Sequence, residues 1–366
     1  MRILLIIDSL SVGGAEDVAT NLSVSLKKNK QKVALLVLSK KIETPNYKKL
    51  CVASVEIFFM TKRKYSCASL REARNIIKKF NPDIINSSLS GYYYSFLLRK
   101  ASKAKIVHTI QNTYRYDSTW KGRFFHRLFL PYAQAVVAVS QNVAKTIPMY
   151  NKNIITIPNC TEIFSIDKTK KFDLKKIIKK SSDSIIFINV ANLRAEKNHL
   201  LLIKSFARLK DHIPRAKLLL AGDGVMRKKI EKTIQELELK NDVVLLGRRN
   251  DIRELLKACD IFVLTSISEG LPLAMLEAMM AKLPVISTRA GGTEEIIKNG
   301  INGYLVNSDE KLISKYMLKL ASDLKLRKKL GNTGRLMVEK KYSLDTMTKN
   351  YINLYNKLLK NENSTF

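Results

Sequence analysis

The sequence predicts an α/β protein built from two doubly wound parallel sheets. Short runs rich in Val, Ile and Leu alternate with amphipathic segments of about 10 to 15 residues, the pattern of strand–helix–strand units around a parallel sheet. The alternation occurs twice, and a length of 366 residues suits two domains better than one core.

The first series places strands at 2–8, 32–39, 55–60, 83–88, 105–110, 135–140 and 154–158. Between 161 and 184 the apolar periodicity fades into a lysine-rich stretch that reads as a linker. The second series places strands at 185–189, 216–221, 243–247, 261–265 and 284–287, and the pattern turns helical from Leu312 onward. The last segment sets Met347, Tyr351, Leu354, Tyr355 and Leu358 three and four residues apart, as in an amphipathic helix. The expected division is therefore a first domain at 1–165, a linker at 166–183, a second domain at 184–343 and a terminal helix at 344–366.

Apolar residues form 46% of the chain and charged residues 27%, a balance that excludes a disordered or fibrous protein. No apolar run reaches the roughly 18 residues a bilayer span requires. Asp8 interrupts the opening apolar run before a secretory core could form, so a cytoplasmic location is expected. Cys51, Cys67, Cys160 and Cys259 lack the spacing of a disulfide framework or a zinc site. The net charge of +33 is divided almost evenly, +17 over 1–165 and +16 over the remainder, and calls for an anionic partner. Nucleic acid, an anionic membrane and phosphorylated substrates all suit that charge. No zinc finger, RNA-recognition signature or basic repeat accompanies it, so nucleic acid is not expected.

Three segments can carry chemistry. The first strand runs into Gly13-Gly-Ala-Glu16, where paired glycines let backbone N–H groups approach an anion at a helix start or simply make a tight turn. The second domain opens with Ile188-Asn-Val-Ala-Asn-Leu-Arg-Ala-Glu-Lys-Asn198, which sets Arg194 and Lys197 in a loop beyond a strand. Two cations there can hold a diphosphate or can be ordinary solvated charges. The third segment runs from Ser266 to Met279. It carries Glu269, a turn in which Gly270 and Leu271 offer N–H groups, Pro272 in the first helical turn, and Glu277 on an otherwise apolar helix. A carboxylate among Leu and Met side chains costs free energy unless it is paired, which marks Glu277 as functional.

Glu269 and Glu277, with seven residues between them, resemble the EX7E signature of family 4 retaining glycosyltransferases. The resemblance extends to Gly13-Gly-Ala-Glu16, Val137-Ala-Val-Ser140, Ile157-Pro-Asn159, Glu196-Lys-Asn198, Ala221-Gly-Asp-Gly224, Cys259-Asp-Ile-Phe-Val-Leu264 and Ala290-Gly-Gly-Thr-Glu-Glu295. It implies the GT-B fold, in which two Rossmann-like domains face a cleft and the terminal helix crosses back to the first. The first domain then binds the acceptor and the second the nucleotide sugar. Glu277 is expected on the ribose hydroxyls, Glu269 beside the transferred sugar and Lys197 against the diphosphate. Asn192 stands where the family commonly has arginine, so either Arg194 substitutes or Asn192 hydrogen-bonds a phosphate. His108 matches the histidine that the family brings near the donor sugar, its alternative being a core imidazole bonded to backbone; by the resemblance His108 and Glu269 are the catalytic candidates. The implied reaction is transfer of a hexose-type sugar with retention, from a UDP-sugar as expected donor, to a lipid-linked saccharide or polysaccharide. No cofactor is expected. With no Asp-x-Asp pair and no metal-ligand spacing, no metal site is expected either.

Residues 120–130, Trp-Lys-Gly-Arg-Phe-Phe-His-Arg-Leu-Phe-Leu, interleave aromatics with cations, with Arg99, Lys100, Lys103 and Lys105 near in sequence. Such a helix either rests on the anionic inner face of a membrane or turns its aromatics into the core. Two other classes stand against the transferase. One is another nucleotide-binding Rossmann enzyme, disfavoured because no GxGxxG follows the first strand, and the other is a non-enzymatic basic binder of membrane or nucleic acid.

Overall fold

The computed structural model describes residues 1–11, 13–113, 120–148, 153–165, 174 and 184–360. The described chain forms two compact units, one of Met1–Cys160 with the helix Leu344–Lys360, the other of Thr161–Ser343. The segment 166–183, expected as a linker, lies outside the described residues apart from Leu174.

The first unit runs β1 (Arg2–Ile7), α1 (Gly14–Lys28), β2 (Lys32–Val37), α2 (Pro45–Val52), β3 (Glu56–Phe59), α3 (Cys67–Phe80), β4 (Ile84–Ser88), α4 (Gly91–Leu97), β5 (Lys105–Ile110), α5 (Trp120–Phe129), β6 (Ala135–Ala138), α6 (Gln141–Thr146) and β7 (Ile154–Thr156). Its strands are parallel in the order β3-β2-β1-β4-β5-β6-β7. Buried strands such as Ile3-Leu-Leu-Ile-Ile7 have helices on both faces, so no alternation of polar and apolar residues appears in them.

The second unit runs β8 (Ile186–Val190), α7 (His199–Lys210), β9 (Lys217–Ala221), α8 (Arg227–Glu236), β10 (Val243–Gly247), α9 (Ile252–Ala258), β11 (Ile261–Leu264), α10 (Leu273–Met280), β12 (Val285–Thr288), α11 (Thr293–Ile296), β13 (Gly303–Val306), α12 (Glu310–Ser322) and α13 (Leu324–Lys341). The order is β10-β9-β8-β11-β12-β13, again parallel. β13 is a correction to the sequence reading, which ended this sheet at 284–287. Its four residues are too short for a periodicity, and it becomes a strand by pairing with all of β12.

The terminal helix α14 (Leu344–Lys360) belongs to the first unit, where it lies along α1 and Thr348 Oγ1 is 2.8 Å from Ser25 Oγ. Its buried tyrosines reach the carboxyl ends of β4 and β5. Asn86 donates to the Tyr355 hydroxyl at 2.7 Å, and Thr109 Oγ1 lies 3.3 Å from the Tyr351 hydroxyl. Thr161 bridges Ser343, so the chain enters and leaves the second unit side by side.

Candidate active site

Open parallel sheets bind ligands beyond strand carboxyl ends, where the strand order reverses. In the second unit that point lies between β8 and β11. The loop after β8 carries Asn192, Arg194 and Lys197, and the loop after β11 carries Glu269, Gly270 and Leu271.

The two loops are stitched together by their own polar groups. Ile267 N–H donates to the Glu196 carbonyl at 2.7 Å, and Thr265 Oγ1 donates to the carbonyls of Lys197 and Asn198 at 3.2 and 3.0 Å. Asn198 holds a left-handed conformation, φ 50, which turns the chain into α7. At the centre Lys197 Nζ lies 2.6 Å from Glu269 Oε1, and the Ser266 hydroxyl donates to the same oxygen at 2.6 Å. Glu269 is buried, so its carboxylate is held by a charge-assisted pair and one hydroxyl.

A third loop closes the arrangement from β12. Glu269 N–H donates to the Ala290 carbonyl at 2.7 Å, and Gly292 N–H donates to the Glu269 carbonyl at 3.1 Å. The backbones approach so closely here that a Cβ on Gly292 would stand 1.8 Å from the Gly270 carbonyl oxygen. Gly222, at φ 148, similarly lies against the Ala191 carbonyl, 1.9 Å from where its Cβ would be.

Lys197, Glu269, Gly270 and Leu271 are thus brought together on buried or half-buried backbone. Glu277 lies half-buried on α10, with Pro272 immediately before the helix rather than in its first turn. Asn192 is exposed, and Arg194 is 64% exposed with its guanidinium 4.0 Å from Glu196, so neither joins the Lys197–Glu269 pair. Sequence reasoning missed Ser266, which could have been noticed as a hydroxyl three residues before Glu269. His199, which opens α7, has its buried imidazole pushed down to about 4 by burial first and the Lys197 charge second.

Two candidate positions lie in the first unit. His108 was placed at the end of a strand beside the donor. It stands instead two residues inside β5, 1% exposed, with Nδ1 3.1 Å from Ser87 Oγ and its ring 5.5 Å from Tyr92 and 5.4 Å from His126. Burial, with the His126 charge second, holds it well below the usual histidine range, so it is a neutral imidazole in this arrangement. Gly13 and Gly14 do start α1, and the Glu16 carboxylate lies close to that turn. A Cβ on Gly13 would meet Glu16 Oε2 at 2.5 Å, and the Ser9 and Ser11 hydroxyls donate to Oε1 at 3.2 and 3.4 Å. Burial raises the Glu16 carboxyl above its ordinary value.

Two doubly wound parallel sheets, the second with polar loops gathered beyond its strand ends, define the Rossmann-like α/β class. Residues 12–163 match Glycosyltransferase Family 4 and residues 170–337 match Glycosyl transferases group 1. The chain belongs to this glycosyltransferase family, with the GT-B fold. It is 30% identical over 307 residues to an uncharacterised glycosyltransferase of Methanocaldococcus jannaschii, covering 70% of this chain and 75% of the relative. It is 28% identical over 284 residues to the UDP-Gal:alpha-D-GlcNAc-diphosphoundecaprenol alpha-1,3-galactosyltransferase of Escherichia coli, covering 70% and 72%. Among solved structures, Anabaena HepE in complex with UDP and glucose superposes with TM-score 0.86 at 18% identity over 98% of this chain and 100% of that one, a likeness of fold.

Proposed function

We propose that this glycosyltransferase moves a hexose-type sugar, with retention, from a UDP-sugar to a lipid-linked saccharide or polysaccharide at the inner membrane face. The observation that carries the reading is the Lys197–Glu269 pair, 2.6 Å apart at the switch point of the second sheet. An ammonium held there by a buried carboxylate is oriented before a diphosphate arrives and needs no large reorganisation to meet it. Glu269 then lies beside the sugar, Gly270 and Leu271 offer N–H groups, and Glu277 accepts from the ribose hydroxyls. Arg194 or Asn192, both exposed on the β8 loop, meets the diphosphate beside Lys197.

The bond between the anomeric carbon and the diphosphate oxygen breaks while the acceptor oxygen bonds to that carbon on the same face. The acceptor proton passes to the departing diphosphate oxygen, so no side-chain base is required and configuration is kept. Such a route depends on placement and charge, which the three stitched loops supply. The UDP and glucose bound by HepE and the diphosphoundecaprenol acceptor of the E. coli relative support the choice of donor and acceptor.

The test is a screen of UDP-, GDP- and ADP-sugars for transfer to undecaprenyl-diphosphate saccharides, with product stereochemistry read by NMR. An α-linked product from an α-linked UDP-sugar is expected. An inverted product, or transfer from none of the donors, would overturn the proposal.

A further inference from the structure

Between Asp83 and Glu162 the sequence contains a single acidic residue, Asp117, against ten lysines and arginines. Within that stretch α5 has two faces of different character. Its inner face packs into the first unit: Phe129 stacks on Phe96 at 3.9 Å, Phe125 lies 5.8 Å from Tyr93, and His126 is buried. Its outer face carries Phe124, Arg127 and Leu128, at the spacing of one helical side, with Phe124 58% and Leu128 45% exposed. Just beyond the helix Tyr132 is 54% exposed, and the Arg99 guanidinium lies 4.1 Å from the Phe96 ring and 5.2 Å from the Tyr132 ring. Lys100 and Lys103 are exposed as well.

The core accounts for Phe125 and Phe129 but not for Phe124, Leu128 or Tyr132. A nucleic acid would use the cations and gain little from an exposed leucine, whereas a small phosphate ligand needs a concavity. An anionic leaflet uses both properties, since apolar side chains enter the boundary of headgroups and acyl chains while guanidinium and ammonium groups stay among the headgroup phosphates.

We propose that the outer face of α5, continued by Tyr132 and Arg99, is a docking surface for an anionic lipid bilayer. It lies in a different unit from the Lys197–Glu269 pair and requires no particular donor or acceptor.

The full chain is sedimented with vesicles of phosphatidylcholine alone or mixed with phosphatidylglycerol, without any acceptor lipid, so that the outcome is independent of the transferase reading. Anionic lipid should raise binding about tenfold or more. Arg127→Gln should weaken it about fivefold, and Phe124→Ser/Leu128→Ser about tenfold. Exposed positions are chosen so that thermal melting stays unchanged, and Arg127→Gln tests the surface even if the double variant misfolds. Equal binding to neutral and anionic vesicles, or no binding, would overturn the proposal. So would vesicle binding that survives Phe124→Ser/Leu128→Ser yet is competed away by duplex DNA, which would make this a general polyanion surface.

Discussion

Lys197 Nζ and Glu269 Oε1 lie 2.6 Å apart although 72 positions separate the two residues in the chain. The pair is assembled by the strand order, because β8 and β11 are neighbours only through a crossover. On the proposed function each partner should affect both stability and reaction, and variants should separate the two effects.

Lys197→Met leaves a buried carboxylate held by the Ser266 hydroxyl, so the melting temperature falls and kcat/KM drops about a hundredfold or more. Adding Glu269→Gln to the same chain should recover much of the melting temperature without recovering transfer. Steady-state kinetics and calorimetric melting of the two single variants and the double check this. A Lys197→Met enzyme within about threefold of wild-type kcat/KM would remove the lysine from the site.

Gly292→Ala tests the close approach of the β11 and β12 loops. Gly292 has an ordinary φ of −57, so the added methyl group is opposed not by backbone strain but by neighbouring backbone, the Gly270 carbonyl oxygen at 1.8 Å first and Leu271 Cα at 3.1 Å after it. The loops must part, and donor affinity should fall about tenfold or more. Gly300→Ala is the matched control: at φ 75, with nothing within 4 Å, it strains the backbone by about 1 kcal/mol but leaves donor titrations unchanged. Equal losses in the two variants would show that the crowding at Gly292 has no bearing on the ligand.

Much of this architecture is legible in the chain because a parallel sheet writes itself as apolar runs. The strand at 105–110 emerges with the same bounds, and Lys197 and Glu269 are found as residues just past strand ends. β13 is illegible because four residues carry no period and its strand character comes from β12. The surroundings of His108 are illegible for a related reason: a strand's sequence does not say which way each of its last residues faces, and this ring packs against Tyr92 and His126. Likewise a glycine pair signals close backbone approach without saying that the Glu16 carboxylate packs against the turn. Arg194 and Lys197 look alike in sequence, and only the Thr265 and Ile267 hydrogen bonds to the β8 loop decide which of them meets Glu269.

Acid should destabilise the fold through its buried imidazoles. His126 and His199 are pushed down to about 4 by burial, against an ordinary value near 6.5. Between those values the unfolded chain binds protons that the folded chain refuses, so stability rises with pH from about 4 to about 6.5 and is level above. His199→Gln should flatten that slope in melting curves recorded across the interval, at some loss of stability at neutral pH. An unchanged slope in His199→Gln would remove this residue from the titration.

Tyr355→Phe probes how α14 is fastened to the first unit. The Asn86 amide donates to the Tyr355 hydroxyl at 2.7 Å, and the Thr109 hydroxyl donates to Asn86 Oδ1 at 3.0 Å, all in the buried interior. Removing the phenolic oxygen deprives one amide N–H of its acceptor, at a cost of about 1–3 kcal/mol. The double variant Asn86→Leu/Tyr355→Phe should be less destabilised than the sum of its parts, because donor and acceptor disappear together. Donor titration should be unaffected, since Lys197, Glu269 and Glu277 all belong to the second unit. Additive losses of melting temperature would mean that the Asn86–Tyr355 bond does not fasten the helix and that α14 is held by its apolar contacts with α1.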